Sequence, residues 1–462
     1  MNGVNLIKIF GPVNSEKLLK TVYETHEWLE KYSHKVEDRI WWDVLPQTDV
    51  CKDTFLLRDT SIYAGAAGIA LFYLRLYKAT GEEGWLKRAE GGINYVIGRY
   101  NGLENFKSNS EFLPGADIGF LNGPAGGAYV ASRLYEVTGE SRYRDYAISV
   151  TDDLISAAHE EEGALTWYGT YGIIGEGSLI LYLLDAYETF KNPEYLKAAE
   201  KAARYIAGRK ENAPVGGYRW YAMPTENFPT IRKKGGYFPG FEYGAAGCGY
   251  ILASVYSYTG NEEFLDIAKG AATYITNLAD YTDDTRAALV RYNDTYLTDL
   301  YYLGVCQGPV GTSRLFFKLY EITGEDAYRE FVEKLSRGIL VAGAPSKHSA
   351  GYWHTNCYCC GAPGMLEHFI NIHKLTHDRV YLNAAYDAAQ TIIGESTYLD
   401  GLRKWYTSWN RHEPFKSEAY TGLYLGSAGC ASSLLTLSQY LSGSEDYAPY
   451  LEDPYKSLFR RG

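Results

Sequence analysis

Apolar helical runs recur along this chain, and each of them begins at a glycine pair with the spacing Gly-x-x-Gly. Runs such as IALFYLRLY and YILASVYSY are almost free of charge and end in turns such as KATGEE, EVTGES, SYTGNE or EITGED. A glycine that directly follows a helix is the usual left-handed cap. In four repeats the opening glycine and the turn glycine are 16 residues apart, at positions 65 and 81, 123 and 139, 244 and 260, and 308 and 324. This constant distance predicts a first helix of about four turns in each repeat.

A second, amphipathic helix is predicted after each turn. It opens with an aromatic residue four positions beyond the turn glycine and carries its charges on one face, as in EGWLKRAEGGINYVIGRY. The unit is therefore a helical hairpin, and seven glycine pairs open seven of them: Gly65/Gly68, Gly123/Gly126, Gly172/Gly175, Gly244/Gly247, Gly308/Gly311, Gly361/Gly364 and Gly426/Gly429. Repeats three, six and seven follow the pattern loosely, with LLDAYETFKNPEYLKAA, KLTHDRVYLNAA and YLSGSEDYAPYL in the place of the turn and second helix.

The contrast between the two kinds of helix predicts how the hairpins assemble. No single hairpin can bury both of its helices, so the seven must stack on one another. The uncharged first helices favour an inner ring, and the charged faces of the second helices favour an outer ring in contact with water. The sequence thus predicts an all-α fold, a closed α/α toroid over residues 58–462. Residues 1–57 are predicted to form a helical lead-in that covers one end of the ring.

Composition narrows the classes of partner. The 462 residues include 56 acidic and 45 basic side chains, a formal charge of -11 without a cluster of Lys and Arg. Such a surface does not favour nucleic acid or an anionic membrane as partner. The N-terminal segment lacks the pattern of a secretory signal, so we expect a cytoplasmic protein. The uncharged stretch 419–444 is long enough to span a bilayer, but its glycines and serines favour a buried helix of the seventh repeat instead.

Three of the seven cysteines lie within the two positions before opening glycines. In equivalent hairpins these positions converge on one mouth of the ring, and repeats five and six are neighbours, so Cys306, Cys359 and Cys360 are expected to meet. Three convergent thiolates with one open position suit a zinc ion. Cys357 remains an alternative third ligand because Cys-x-Cys spacing can also chelate. Cys248 and Cys430, four residues into their first helices, are expected to be ordinary buried residues.

The motifs GVCQGPVG and CYCCGAPG, set within seven such hairpins, resemble the lanthionine synthetase C-like family, the lanthipeptide cyclases and their eukaryotic relatives. The resemblance covers about residues 58 to 445. It implies a zinc ion held by Cys306, Cys359 and Cys360, with Cys360 at a position where the family commonly has His. It also implies that a peptide cysteine thiol, bound to zinc, adds to dehydroalanine or dehydrobutyrine and closes a lanthionine or methyllanthionine ring. The expected partner is a dehydrated precursor peptide made by a separate dehydratase.

The sequence departs from the family where a proton must be handled. Bacterial cyclases have a His directly before the fourth-repeat glycine, where this chain has Tyr243, and an acidic residue before the third-repeat glycine, where it has Tyr168 and Tyr171. A phenol is protonated at neutral pH and can donate a proton, so Tyr243 is a candidate acid. Gln307, beside the expected metal, is a candidate for hydrogen bonding to substrate. Other candidates for moving the proton are Glu242, His354 and Glu176.

Two other readings of the chain stay open. A family member without the catalytic His and Asp can bind zinc and a thiol such as glutathione without closing a ring. A glycan-active α/α toroid would instead use a pair of carboxylates, with Glu176, Glu242 and Asp299 as the candidates. That reading leaves the cysteines unexplained.

Overall fold

The computed structural model describes residues 13–46, 59–103, 118–222, 235–408, 414–444, 446 and 448–459. Its helices, in chain order, are α1 (Ser15–Lys31), α2 (Ala66–Thr80), α3 (Glu83–Arg99), α4 (Pro124–Thr138), α5 (Ser141–Ala157), α6 (Glu176–Phe190), α7 (Pro193–Gly208), α8 (Ala245–Thr259), α9 (Glu262–Leu278), α10 (Pro309–Thr323), α11 (Asp326–Val341), α12 (Ala362–Thr376), α13 (Arg379–Gly394), α14 (Ser427–Leu441) and the short α15 (Lys456–Phe459).

Short strands in the connecting loops form two-stranded sheets. Six of these sheets are antiparallel, and the sheet of β11 and β12 is parallel. The strands are β1 (Ser33–Val36), β2 (Arg39–Trp42), β3 (His159–Glu161), β4 (Ala164–Thr166), β5 (Glu211–Asn212), β6 (Tyr218–Arg219), β7 (Tyr221–Ala222), β8 (Gly236–Tyr237), β9 (Asp280–Tyr281), β10 (Ala288–Leu289), β11 (Tyr301–Tyr302), β12 (Tyr352–Trp353), β13 (Thr397–Leu399) and β14 (Leu402–Lys404).

The helices form two concentric rings, so the predicted closed α/α toroid is confirmed. Helices α2, α4, α6, α8, α10, α12 and α14 form the inner ring, where each contacts the next and α14 contacts α2. Each inner helix is buried over at least its first nine residues. The stretch predicted to be a buried helix of the seventh repeat contains α14. Within the described ranges, none of the helices combines the length and apolar character needed to cross a membrane.

The ring is closed by helix α1 from the other end of the chain. Helix α1 packs along α14 in the position of a seventh outer helix, with Leu18, Val22 and Leu29 fully buried. The sequence suggested that this helix covers an end of the ring, but it lies in the outer ring instead. Residues 33–42, also assigned to the helical lead-in, form the β1–β2 hairpin. The segment YLSGSEDYAPYL is not the second helix of the seventh repeat, because its described residues after Leu441 are turns and loop. The boundary between residues 57 and 58 lies outside the described residues.

The register of the inner helices is more regular than the glycine pattern. All seven are 15 residues long. Lys191 and His377 end α6 and α12 in the left-handed conformation, 16 residues beyond Gly175 and Gly361, where other repeats have glycine. The third inner helix, α6, therefore starts at Gly175. The predicted opening pair Gly172/Gly175 is three residues out of register with the other pairs.

Outside the third repeat, the second glycine of each opening pair is required by close packing. The loop before an inner helix folds back across the helix start, so that a Cβ atom at Gly247, Gly311 or Gly429 would lie 1.9 Å from the carbonyl oxygen of the residue six positions earlier. No real side chain tolerates such a distance. This fold-back brings the residue two positions before each opening glycine to the mouth of the ring.

Candidate functional site

A belt of backbone hydrogen bonds joins the loops at the mouth of the ring. In hairpins one, four, five, six and seven, the residue two positions before the opening glycine donates its N–H to the carbonyl of its counterpart in the next hairpin, and in hairpin three Ile174 donates to the carbonyl of Glu242 at 2.9 Å. The described links are Glu242 to Cys306 (2.6 Å), Cys306 to Cys359 (3.0 Å), Cys359 to Tyr424 (3.1 Å), Tyr424 to Tyr63 (2.9 Å) and Tyr63 to Leu121 (3.0 Å). The belt explains why residues far apart in sequence converge.

The two cysteine-bearing loops lie directly against each other. Strands β11 and β12 pair in parallel and lead into the two loops side by side. A Cβ atom at Gly304 would lie 2.6 Å from the Cα atom of Cys360. Glycine at this position therefore lets the fifth-repeat loop lie directly on the Cys360 backbone.

The three predicted metal ligands meet at this junction. The sulfur atoms of Cys306 and Cys360 are 3.3 Å apart, those of Cys360 and Cys359 are 3.7 Å apart, and all three lie within 4.8 Å of one another. Cys306 and Cys359 are buried, and Cys360 is partly exposed. Among the described residues, this is the only group of His, Cys, Asp or Glu side chains that can hold a metal ion. A soft, three-thiol donor set fits zinc.

Cys357 lies next to this cluster but outside the ligand group. Its side chain is fully buried, and its sulfur accepts a hydrogen bond from the Cys360 N–H at 3.3 Å. That contact fixes the tight turn that brings Cys359 and Cys360 to the mouth. Cys248 and Cys430 are buried in α8 and α14, as expected.

The three thiols of the cluster have different pKa values. Hydrogen bonds from Cys306 and Cys360 hold the pKa of Cys359 well below its usual value. The pKa values of Cys306 and Cys360 are raised well above theirs, mainly by their contacts with neighbouring thiols. Cys359 is therefore the sulfur that most readily becomes a thiolate, which is the form that binds a metal.

Glu242 and Tyr63 border the thiols. A carboxylate oxygen of Glu242 lies 3.9 Å from the Cys359 sulfur. The hydroxyl of Tyr63 hydrogen-bonds to the same sulfur, and burial together with the nearby thiols raises the pKa of Tyr63 well above its usual value. The sequence analysis gave Tyr63 no role. The only signal for Tyr63 was its position two residues before Gly65, which Glu242 and Cys306 share in their own repeats.

The hydroxyl of Tyr243 is directed to another aromatic side chain. Tyr243 is buried, and its hydroxyl lies 2.5 Å from that of Tyr292. Its ring packs edge-on against Phe238 at a centroid distance of 4.9 Å. The residue that the structure brings to the thiols from the fourth hairpin is thus Glu242 rather than its neighbour Tyr243.

His354 is engaged on the loop that precedes the sixth hairpin. Its Nε2 atom lies 3.1 Å from the carbonyl oxygen of Lys347, and its ring stacks on His348 at 4.0 Å. Burial, reinforced by the nearby His348, lowers the pKa of His354 to about 4. These contacts hold His354 as a neutral side chain bound to its own loop.

Gln307 is a buried amide without a protein partner. Its side chain is 2% exposed, and within the described part of the chain neither its Oε1 nor its Nε2 atom has a hydrogen-bond partner. Gly240 makes room for it, because a Cβ atom at Gly240 would lie 2.1 Å from Gln307 Oε1. A buried amide without a hydrogen-bond partner costs folding free energy. This cost indicates that Gln307, beside Cys306, has a function other than stabilising the fold.

The remaining carboxylate candidates lie apart from one another. Glu176 is buried and accepts backbone hydrogen bonds from Trp167, Tyr168, Gly169 and Thr170 at 2.6 to 3.2 Å, so it clamps the loop before α6. Asp299 is exposed. Tyr168 is exposed, while burial raises the pKa of Tyr171.

Comparison with known proteins agrees with this architecture. The family model described as lanthionine synthetase C-like protein matches residues 57–451. A relative from Danio rerio named Glutathione S-transferase LANCL1 is 22% identical over 397 residues, 83% of each chain. Among solved structures, Nisin cyclase superposes with a TM-score of 0.60 at 15% identity over 87% of this chain and 92% of its own. The α-1,2-mannosidase from Trichoderma reesei superposes with a TM-score of 0.57 at 13% identity over 94% of both chains.

The two structural neighbours show a shared toroid, and the family follows from the sequence match. That match covers the seven hairpins, including the loops with Cys306, Cys359 and Cys360. The chain therefore belongs to the lanthionine synthetase C-like family.

Proposed function

We propose that this protein is a zinc-dependent cyclase that adds a peptide cysteine thiol to dehydroalanine or dehydrobutyrine and so forms a thioether ring. One observation carries the proposal: Cys306, Cys359 and Cys360 offer three sulfur atoms within 4.8 Å of one another at the mouth of the toroid. Family membership supports the class of reaction. Three protein ligands leave one coordination position for a substrate, as in catalytic zinc sites.

The proposed metal supplies one kind of chemistry: zinc bound here would keep an incoming thiol deprotonated at neutral pH, where a free thiol is mostly protonated. Three thiolates and one divalent cation give the site a charge of about -1 before substrate binds. Since the family's His is neutral, Cys360 increases the negative charge of the site. We expect this charge to keep the substrate sulfur nucleophilic.

The surrounding side chains have complementary roles in this proposal. Thiol addition to a dehydroamino acid produces an enolate that must gain a proton. The carboxyl group of Glu242, 3.9 Å from the Cys359 sulfur, would take up the proton that the substrate thiol loses and deliver it to the enolate. Tyr243 and His354, bonded to Tyr292 and to the backbone of Lys347, are the weaker candidates. The free amide of Gln307 can donate a hydrogen bond to a substrate carbonyl as negative charge develops on it.

The experiment uses a peptide that carries one dehydrobutyrine and one cysteine. The zinc-loaded protein should convert it to a product of unchanged mass that no longer reacts with a thiol-alkylating reagent. The Cys306→Ala variant should leave the peptide thiol free for alkylation. If the wild-type protein with one bound zinc leaves the thiol reactive, ring closure is not its activity.

A second candidate function is the addition of glutathione to a dehydroamino acid. The observation that favours it is the curated relative, whose name describes a glutathione S-transferase. The same residues would serve, because the attacking group is again a thiol. Adding glutathione to the assay separates the two: the glutathione adduct is heavier than the substrate peptide by one glutathione, whereas the cyclic product is not.

A further inference from the structure

The segment that follows α14 enters the middle of the ring from the end opposite the mouth. The residues from Ala448 to Tyr455 are almost entirely buried. Arg75 donates to the carbonyl of Ala448 at 2.6 Å, and Tyr129 donates to that of Pro449 at 2.7 Å. These partners lie well inside the inner helices, so the segment 448–455 closes the ring below the thiol cluster.

Glu452, in the centre of this segment, is part of a buried ionic contact. Its carboxylate lies 3.2 Å from Arg314 Nη1, and both side chains are 4% exposed. Tyr424 donates its hydroxyl to the same carboxylate at 2.9 Å. Arg314 Nη2 donates to the hydroxyl of Tyr358 at 2.9 Å.

Both branches from Glu452 end at the turn that bears the metal ligands. Tyr358 lies between Cys357 and Cys359, and its ring packs edge-on against Tyr424 at a centroid distance of 5.4 Å. The carbonyl of Tyr424 accepts the N–H of Cys359 at 3.1 Å. Through one partner Glu452 fixes the side chain next to Cys359, and through the other it fixes the backbone of Cys359.

We propose that Glu452 and Arg314 are positioning residues for the turn Cys357–Cys360. The buried segment 448–455 would then influence the metal affinity of the three-thiol cluster at the mouth of the ring. The inference rests on the proposed zinc site. Groups that orient the ligands of a metal commonly change its affinity by about 10- to 100-fold when they are removed. A buried pair is also costly to break, because one partner stays charged and unpaired.

The test measures the zinc dissociation constant of the full chain by competition with a chelator. Tyr358→Phe removes the hydroxyl that receives Arg314 but keeps the ring, and Glu452→Gln keeps the shape but removes the charge. We expect each variant to bind zinc about 10-fold or more weakly. The absorption spectrum of the cobalt-substituted protein should change as well, because it reports the ligand geometry.

The control is Asp185→Asn, which breaks another buried ion pair. Asp185 contacts Arg133 at 3.1 Å between α4 and α6, in hairpins two and three. The zinc affinity of the Asp185→Asn variant should stay within twofold of wild type. Unchanged affinity and cobalt spectrum in Tyr358→Phe and Glu452→Gln would overturn the inference, as would equal weakening in Asp185→Asn. A wild-type protein that binds no zinc would overturn the proposed function and this inference together.

Discussion

The opening loops of hairpins two and three and those of hairpins five and six are built alike but carry different chemistry. Two residues before the helix-opening glycine stand Leu121 and Ile173 in the first pair of hairpins, and Cys306 and Cys359 in the second. Their exposures are nearly the same, 4% for Leu121, Ile173 and Cys306 and 5% for Cys359. The inner helices that follow all have 15 residues.

This comparison separates the scaffold from the chemistry. The backbone belt and the fold-back loops supply one equivalent position per repeat, and the side chain at that position decides what each part of the mouth can do. Apolar side chains occupy this position in hairpins two and three, and thiols occupy it in hairpins five and six. Glu242 and Tyr63 occupy the same position in hairpins four and one and reach the thiols from either side.

The largest expected effect is on metal content. Cys306→Ala removes one of three sulfur ligands and should reduce bound zinc from one per chain to none, whereas Leu121→Ala, at the same register position in hairpin two, should retain it. The leucine variant should instead lose about 3 kcal/mol of unfolding free energy, because it leaves a cavity. Elemental analysis and urea unfolding measure the two effects. A full zinc complement in Cys306→Ala would contradict the assignment of the ligands.

The scaffold can be disturbed without touching a ligand. In Gly311→Ala the new methyl group would lie 1.9 Å from the carbonyl oxygen of Val305. We expect a loss of about 3 kcal/mol of unfolding free energy, because the loop that bears Cys306 must shift. Gly208→Ala is the matched control, since no atom lies within 4 Å of the added methyl group, and its stability should change by less than about 1 kcal/mol. Equal stabilities of the two variants in urea unfolding would refute this packing argument.

Proton delivery should depend on Glu242 more than on its neighbour. Glu242→Gln keeps the shape of the side chain but removes its acidic proton, and we expect the ring-closing rate to fall about 10²-fold, equivalent to about 2.7 kcal/mol of barrier. Tyr243→Phe should stay within a few fold of wild type, because its hydroxyl is bonded to Tyr292. Rates are compared at verified zinc content. A larger loss in Tyr243→Phe than in Glu242→Gln would transfer the role to the tyrosine.

The smallest expected effect is a pH dependence of stability from the loop before hairpin six. The folded pKa of His354 is about 4, below the unfolded value of about 6.5, so the unfolded chain binds the proton more tightly. The contribution of the neutral His354 to stability is complete above pH 6.5 and is lost as the pH falls towards 4. Between pH 7 and pH 5 this amounts to about 2 kcal/mol.

His354→Gln tests that pH dependence. Urea unfolding of wild type and variant at pH 7 and pH 5 measures the loss in each. The variant should lose about 2 kcal/mol less than wild type over this interval. The same loss in both proteins would show that His354 is not the residue that titrates.

Much of the fold could be predicted from the sequence because its signals are local. The 16-residue distance from opening glycine to turn glycine reflects one helix and its two caps, and it holds even where Lys191 and His377 replace the turn glycine. The converging register before the glycines also predicted that Cys306, Cys359 and Cys360 would meet. Periodicity and capping depend on residues close in the chain, so a single sequence contains them.

The tertiary structure decided what depends on contacts between distant residues. Helix α1 completes the outer ring against α14, some 400 positions away, and no local pattern identifies that partner. The pair Gly172/Gly175 satisfied the Gly-x-x-Gly spacing, yet Gly172 packs on the Glu242–Tyr243 backbone and the helix starts at Gly175. Glu242 and Tyr243 are adjacent in sequence, yet their side chains have different partners, Cys359 and Tyr292. The direction of a side chain at the mouth is set by the belt of hydrogen bonds, which forms only when the ring is closed.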